Sequence, residues 1–367
     1  MIYIEKGEKA ILPKKYHGLN NLSAIIYDQL REIFQSDNYN DLWKAEFDIN
    51  KKNQVLLREF KAGKIHSLDW MKANGLNEEI VIVLAKHLII SIVSDFVDFI
   101  YESLNCAKKG KMTVAYALLR KPFSDELLIL EQLLYDPHDF IQRFFHSGNP
   151  NEYDPSSRAL DKKLIIRNAL TKIKPQLILN EDLIYEIRYD KTSEIGINGI
   201  SNQALHIVTN DKNYKTDDQN LNFVFSVDDD IKLYWNHYYF FVPYLLLYSA
   251  SIIDALIFKY LDDEGSKNLQ AVKSLRRVVG TVVWAERVKT SMKESSNVMF
   301  DAMKAIIEIE CKNCLRQNKF SRKQFESFFE TEELICSKCK ENVLVTHKSI
   351  EPIKEYLKAI SQSNQNP

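Results

Sequence analysis

Four cysteines near the C-terminus are the residues whose type and spacing most clearly indicate a chemistry. They form two C-x2-C pairs, Cys311 with Cys314 and Cys336 with Cys339, separated by 21 residues. Four thiolates in two such pairs are a common ligand set for tetrahedral zinc, and they leave no open coordination position. The spacing therefore predicts a structural Zn²⁺ site rather than a catalytic metal site.

A redox-active disulfide is the alternative chemistry for a C-x2-C pair. A thioredoxin-like site needs a strand followed by a helix at the pair, and neither pair is followed by such a unit. A short β-like run precedes each pair instead, at residues 306–310 and at Leu334-Ile335. This pattern is typical of a zinc ribbon, in which two knuckles at the tips of hairpins hold the metal.

The composition indicates a mainly helical protein of the cytoplasm. With 45% hydrophobic and 11% aromatic residues, the 367-residue chain can fill two or three cores, which excludes disorder as its main state. Ten Gly and nine Pro are few for an all-β protein. Only Cys106 lies outside the two pairs, so a disulfide framework cannot form, as is usual in a reducing compartment. The first residues include no apolar stretch, so we expect no signal peptide.

We therefore predict a mainly α fold, a helical bundle with a small C-terminal β-hairpin zinc ribbon. The predicted parts are an N-terminal helical region (1–77), a central helical bundle (78–265), a basic helical connector (266–305), and the zinc ribbon with a C-terminal helix (306–367).

Two helices are expected early in the central bundle, from Glu78 to about Leu104 and from Thr113 to Tyr135, the second bent at Pro122. A period of about 100° per residue places six polar residues of the second helix on one solvated face. These are Arg120, Lys121, Ser124, Asp125, Glu131 and Gln132. Glu126 falls on the opposite, apolar side, where a carboxylate must be paired or have a raised pKa. It is therefore either half of a structural salt bridge or an acid of a functional site.

The stretch from Tyr238 to Phe258 is apolar over nearly the length that a membrane span requires. It also contains Pro243 and Asp254, and a carboxylate in the middle of a span is costly in lipid. We interpret it as a buried core helix and expect no membrane association.

Three residues are candidates for catalysis: His206, Glu126 and Asp254. His206 lies in the least helical part of the chain, residues 190–235, where a long polar loop and a short strand at 222–226 are expected. Asp254 has no charged neighbour within one turn of its own helix. A lone histidine is more often structural, so catalysis depends on whether these side chains converge on one cleft.

A local basic excess follows the apolar helix. Residues 266–349 contain 16 Lys and Arg against 10 Asp and Glu, although the net charge of the whole chain is −1. The candidate nucleic-acid-binding residues are Arg276, Arg277, Arg287, Lys312, Arg316, Arg322 and Lys323. Four phenylalanines, Phe320, Phe325, Phe328 and Phe329, alternate with these cations. They could stack on bases, but a module this small is expected to need them as its core.

Several common catalytic and nucleotide-binding motifs are missing from the sequence, among them G-x-x-x-x-G-K-[ST], G-x-G-x-x-G, G-x-S-x-G and H-E-x-x-H. Two segments, Ala115 to Pro137 and Tyr244 to Leu261, resemble uncharacterised bacterial helical proteins related to the HEPN superfamily. The resemblance implies a HEPN-like bundle over about residues 78–262. It also implies a toxin or phage-defence ribonuclease that needs no metal and uses Arg and His five or six residues apart. Arg167 suits the start of that motif, yet no histidine follows it within eight positions.

The leading functional hypothesis is a zinc-ribbon protein that binds RNA, DNA or a protein partner in a bacterial defence or regulatory setting, with a homodimer as one form that it could take. The alternative is a HEPN-like ribonuclease with a non-standard active site.

Overall fold

The computed structural model describes residues 2–45, 54–173, 179–210, 213–261, 263–288 and 292–363. Over these ranges the regular structure is helical except for one antiparallel hairpin, which confirms the predicted mainly α fold. The α-helices are α1 Lys14–Arg31, α2 Gln54–Lys61, α3 Ser67–Ala73, α4 Asn77–Lys108, α5 Met112–Arg120, α6 Leu127–Tyr135, α7 Pro137–Ile141, α8 Pro150–Tyr153, α9 Lys162–Leu170, α10 Glu181–Tyr189, α11 Ile197–Leu205, α12 Asp228–Phe258, α13 Glu264–Arg287, α14 Met292–Ile306, α15 Arg322–Thr331 and α16 His347–Ser363. The strands are β1 Glu308–Glu310 and β2 Gln317–Lys319.

Helix α12 is the centre of the bundle and packs against α1, α4, α6 and α13. A helix that is apolar on all sides must be covered on all sides, and the residues from Tyr238 to Phe258 are largely buried. By length and composition, α4 and α12 could each cross a membrane, with mean hydropathies of 2.2 and 1.8 over their most apolar stretches. In α12, 89% of that stretch is buried inside the protein, against 44% in α4. The interpretation of 238–258 as a buried core helix is confirmed.

The helix predicted over 113–135, with a bend at Pro122, contains a π-helical segment over residues 121–126. Such a segment accommodates one extra residue per turn and so rotates the following helix by roughly 100°. The prediction of a single solvated face was therefore wrong in part. Ser124, Glu131 and Gln132 are buried, whereas Arg120 and Lys121 are exposed.

The N-terminal region and the ribbon share the core of the central bundle. Helix α1 packs on α4, α12 and α13, and α15 packs on α13. The buried apolar residues form one connected cluster that extends from Ile2 to Ile353. The basic connector helix α13 thus lies between the bundle and the ribbon.

The segment that joins α11 to α12 contains turns where a strand was expected. Phe223 has a left-handed backbone (φ 60°), which is incompatible with a regular strand, so the prediction for residues 222–226 was wrong. Asn222 holds the loop together, because its backbone N–H donates to the carbonyl of Ile207 (2.8 Å) and its side chain donates to the carbonyl of His206 (2.8 Å).

Candidate metal centre

The first cysteine pair lies in the turn of the β1–β2 hairpin, where Glu308 pairs with Lys319 and Glu310 with Gln317. The backbone N–H of Cys311 donates to the carbonyl of Arg316 (2.9 Å), and the N–H of Leu315 donates to the carbonyl of Cys311 (2.8 Å). Leu315 has a left-handed backbone (φ 57°), which reverses the chain after the second cysteine. The result is a tight knuckle that directs two thiols to one side.

The second pair has the same local structure although no regular strand surrounds it. Cys336 N–H donates to the carbonyl of Glu341 (2.9 Å), and Lys340 N–H donates to the carbonyl of Cys336 (3.2 Å). Lys340 has the left-handed backbone here (φ 64°), at the position that corresponds to Leu315. A single bridge between Ile335 and Asn342 closes this second hairpin. The β-like runs before both pairs therefore have the predicted role.

The two knuckles bring the four thiols into one cluster, with all sulfur atoms within 4.8 Å of one another. Cys311 Sγ lies 3.5 Å from Cys339 Sγ, and Cys314 Sγ lies 3.6 Å from Cys336 Sγ. A tetrahedral ion bound about 2.3 Å from each sulfur holds sulfurs about 3.8 Å apart. The cluster thus fits one metal ion with four thiolate ligands, and it pairs the knuckles in the way that the spacing predicted.

Backbone amides around the second knuckle favour ionised thiols. Hydrogen bonds from the N–H groups of Cys339 and Lys338 lower the pKa of Cys336 to about 6. A metal ion binds the thiolate form, so this arrangement of amides favours metal binding.

Asn318 is a positioning residue that the spacing of the cysteines did not reveal. Its buried side chain lies on β2 and donates from Nδ2 to the carbonyl of Arg316 (2.8 Å) in the first knuckle. Its Oδ1 accepts from the backbone N–H of Ser337 (3.0 Å) and from the Ser337 hydroxyl (3.1 Å) in the second knuckle. One amide therefore fixes the two knuckles relative to each other.

Replacing Asn318 by alanine should weaken metal binding about 10- to 100-fold, the usual effect of losing an outer hydrogen bond to a metal site. The measurement is competition with a zinc chelator of known affinity. Gln317→Ala is the matched control, because Gln317 is the exposed neighbour on the same strand. Equal affinities for the two variants would contradict a positioning role for Asn318.

Cations of α13 dock the metal-binding module on the bundle. Arg276 donates from Nε (3.0 Å) and Nη2 (2.7 Å) to the carbonyl of Phe329, at the end of α15, and also pairs with Glu332. Lys273 is buried and bridges Glu332 to Glu32 of the N-terminal region. Gly280 allows the ring of Phe329 to approach α13, because a Cβ there would lie 2.6 Å from the ring.

The predicted basic surface is consequently smaller than the sequence suggested. Arg276 and Arg277 are buried and paired with Glu332 and Asp254, so the prediction that they contact nucleic acid is corrected. Arg322 pairs with Glu286 and Glu326. Arg287 lines a cleft of about 130 Å³ together with Glu326 and Glu330. Lys312, Arg316 and Lys323 are exposed as predicted.

The four phenylalanines form the core of this module, as the requirement for a core in so small a unit predicted. Phe320, Phe325, Phe328 and Phe329 are all buried. They are therefore not exposed for stacking on bases.

Comparisons with models of protein families, with curated proteins and with solved structures find no match. The resemblance to HEPN proteins accordingly stays a prediction.

The three candidate catalytic residues lie in different surroundings. Asp254 is buried, and its charge is balanced by Arg277 from α13. His206 ends α11 and lies on the exposed loop that Asn222 holds. The π-helical segment positions Glu126. No hydrogen bond or ion pair joins any two of the three among the described residues.

Glu126 forms a small charged cluster with Asp95 of α4 and with Lys121 of its own segment. Lys121 Nζ lies 3.2 Å from Glu126 Oε1 and also contacts Asp95. Burial, reinforced by the Asp95 carboxylate, raises the pKa of Glu126 to about 8, whereas a hydrogen bond with Glu126 lowers the pKa of Asp95. At neutral pH Glu126 is therefore mostly protonated beside an ionised Asp95. The raised pKa that burial predicts for this carboxyl is therefore present, whereas the cation beside it, Lys121, belongs to its own segment rather than to another helix.

The raised pKa of Glu126 predicts a loss of stability as pH rises. In the folded protein Glu126 keeps a proton that the unfolded chain releases near pH 4.5. The stability that this proton contributes is therefore fully present below pH 4.5 and is lost as the pH rises through about 8. Each unit of raised pKa corresponds to about 1.4 kcal/mol. Denaturant unfolding of wild type and Glu126→Gln from pH 5 to 9 measures the effect. The free energy of unfolding of wild type should fall relative to that of the variant, and parallel pH profiles would contradict the prediction.

Proposed function

We propose that the cysteine cluster holds one structural Zn²⁺ ion and that the protein is a cytoplasmic binding protein, whose zinc ribbon contacts nucleic acid. The observation that carries the proposal is the closed set of four sulfurs, because a zinc ion with four thiolate ligands has no position for a reacting water. The separate surroundings of His206, Glu126 and Asp254 also support binding over catalysis.

The contact surface in this proposal consists of the two knuckle tips. Lys312 and Arg316 flank Leu315, whose side chain is 70% exposed at the first tip. Lys338 and Lys340 are exposed at the second tip. These four cations at the two tips could contact phosphates while Leu315 contacts a sugar or a base edge.

Exposed carboxylates of the ribbon, among them Glu308, Glu310 and Glu341, limit the strength of this contact. Zinc-bound thiolates carry further negative charge. Because Arg276 and Arg277 are buried, only about four phosphate contacts are expected, from the cations of the two knuckles. Binding is therefore expected to be modest and strongly salt-dependent.

A titration of labelled single- and double-stranded RNA and DNA at several salt concentrations tests the proposal. Four phosphate contacts predict a slope of log K against log salt of roughly −3 to −4. Lys312→Glu/Arg316→Glu should abolish binding, whereas the matched double variant Lys9→Glu/Lys64→Glu, exposed and far along the chain, should bind as wild type does. Binding that is indifferent to salt, or equal in both variants, would refute phosphate contact at the knuckles.

A HEPN-like ribonuclease of a bacterial defence system is the second candidate. What supports it is Glu126, a carboxyl group that is mostly protonated at neutral pH and could donate a proton to a leaving group. Structured RNA incubated with protein and chelator tests it, with His206→Ala and Glu126→Gln as variants. Cleavage that both variants lose would favour the enzyme, and cleavage that neither loses would remove both residues from the mechanism.

A further inference from the structure

A group of large apolar side chains is exposed on the loop between α11 and α12 and on the first turns of α12. The group, called the apolar patch below, consists of Ile207, Val208, Val224, Phe225, Val227 and Leu233. Phe225 is 62% exposed and Leu233 is 69% exposed. The hydrogen bonds that Asn222 donates to Ile207 and His206 hold the two halves of the loop side by side. Apolar groups clustered in this way usually mark a surface that another molecule covers.

The apolar patch continues into a shallow, open groove along the first turns of α12. Leu233, Asn236, His237, Phe240 and Phe241 line this groove, which has a volume of about 240 Å³. The first four of these residues follow an i, i+3, i+4, i+7 pattern and so lie on one helical face.

The histidine of the groove is uncharged. Its two ring nitrogens are engaged, Nδ1 with the Tyr116 hydroxyl (2.9 Å) and Nε2 with the carbonyl of Ile195 (3.0 Å). Burial lowers the pKa of His237 to about 4. The groove therefore carries no positive charge at neutral pH.

Exposed carboxylates flank the residues of the apolar patch along the chain. Asp217, Asp218, Asp228 and Asp229 are exposed on the same loop and at the start of α12. Lys215 and Lys232 are the lysines among the described residues of 205–241, and Lys232 is already paired with Asp229 (2.7 Å). The carboxylates of this segment outnumber its lysines, so this part of the surface disfavours phosphate groups.

We propose that the apolar patch and its groove bind a basic amphipathic helix of a partner protein. Leucine-like side chains at helical spacing would fill the groove beside Phe240, and lysine or arginine on the flanks would face the aspartates. This mode of recognition needs an apolar groove with a charged rim, and both are present. None of these residues belongs to the ribbon, so the inference does not depend on the proposed contact with nucleic acid.

Fluorescence anisotropy with synthetic peptides tests this inference on the full chain. The probe is an 18-residue peptide with leucine at i, i+3, i+4 and i+7 and lysine elsewhere. The comparison peptides are one with glutamate in place of lysine and one with the same residues in scrambled order. The lysine peptide should bind, and the other two should bind at least about tenfold more weakly, since they lose the charge match or the apolar stripe.

Variants assign the binding to the apolar patch. Phe225→Ser/Leu233→Ser should weaken binding of the lysine peptide about tenfold or more, because exposed apolar anchors contribute to binding and little to folding. Val298→Ser is the matched control, since this α14 side chain is 60% exposed outside the patch. Asp218→Asn/Asp228→Asn should weaken binding and reduce its dependence on salt.

Several results would overturn the inference. One is equal binding of the three peptides, or equal binding by the patch and control variants. Another is a concentration-dependent dimer in light scattering that Phe225→Ser/Leu233→Ser abolishes, which would assign the surface to a second copy of this chain. Binding to phosphatidylserine vesicles that the same variant loses would assign it to a membrane.

Discussion

Replacing Cys336 by serine is expected to release the metal ion and to unfold the ribbon, whereas Cys106→Ser should do neither. A structural zinc site of this type contributes on the order of 10 kcal/mol to the folding of its module. Cys336 is buried, and its sulfur lies 3.6 Å from that of Cys314, so a serine there removes a ligand and leaves a gap in the cluster. Cys106 lies on α4, outside the cluster, and is the matched thiol control.

Two measurements check this expectation. Elemental analysis should find one zinc per chain in wild type and in Cys106→Ser, and much less in Cys336→Ser. Limited proteolysis should cleave residues 306–346 rapidly in Cys336→Ser, or in wild type treated with a strong chelator. Wild-type protein without stoichiometric zinc, or a Cys336→Ser ribbon as resistant to protease as wild type, would refute the structural metal site.

Loss of the metal should also affect the bundle. Lys273 and Arg276 are buried on α13, and Glu332 at the end of α15 is a partner of both. If α15 leaves α13, both cations lose Glu332, and α13 also loses the Phe329 ring that packs at Gly280, so the bundle loses stabilising contacts. We therefore expect thermal unfolding of the whole protein to begin at a lower temperature in Cys336→Ser, not only that of the ribbon.

The cysteine ligands could be predicted from the sequence because a knuckle is a local structure. Four consecutive residues and the turn after them fix the direction of two thiols, so the C-x2-C pattern carries the information. Asn318 could not be predicted in this way. Its partner Ser337 is 19 residues away in the chain, and only the folded hairpins bring the two together.

In the basic connector, by contrast, the surroundings of the cations could not be predicted from the sequence. Residues 266–349 do contain an excess of Lys and Arg. However, Lys273, Arg276 and Arg277 are paired with Glu32, Glu332 and Asp254, each at least 23 positions away in the chain. Local composition cannot distinguish a cation that faces solvent from one that pairs across helices. Helical periodicity failed for a related reason at Glu131, because the π-helical segment after Arg120 changes the phase of the helix.

Glu131 belongs to a buried polar network that joins three helices of the bundle. Its Oε1 pairs with Arg188 of α10 and accepts from the Tyr248 hydroxyl of α12 (2.5 Å). Arg188 also donates from Nε to the carbonyl of Phe123 (2.7 Å). Neither charged side chain is exposed to solvent, and Glu131 Oε2 has no hydrogen-bond partner among the described residues.

Replacing Arg188 by alanine should destabilise the protein by about 3–5 kcal/mol, because it leaves the Glu131 carboxylate buried without its partner. Arg167→Ala provides a matched control. Arg167 also joins two helices, pairing with Glu181 (2.8 Å), but its side chain is exposed, so its loss should cost at most about 1 kcal/mol. Urea unfolding monitored by circular dichroism measures both. Equal losses in the two variants would contradict a specific role for the buried pair.

A third variant shows whether the polar network stabilises the fold more than apolar side chains of similar size would. Arg188→Met/Glu131→Leu/Tyr248→Phe replaces the polar groups by apolar ones of similar size. Buried ion pairs exchanged in this way are often neutral or stabilising by about 1–4 kcal/mol. Since Glu131 Oε2 is already unsatisfied, we expect the triple variant to recover most of the stability that Arg188→Ala loses. If it stays as unstable as Arg188→Ala, the hydrogen bonds to Phe123 and Tyr248 are themselves needed to hold α10 on the bundle.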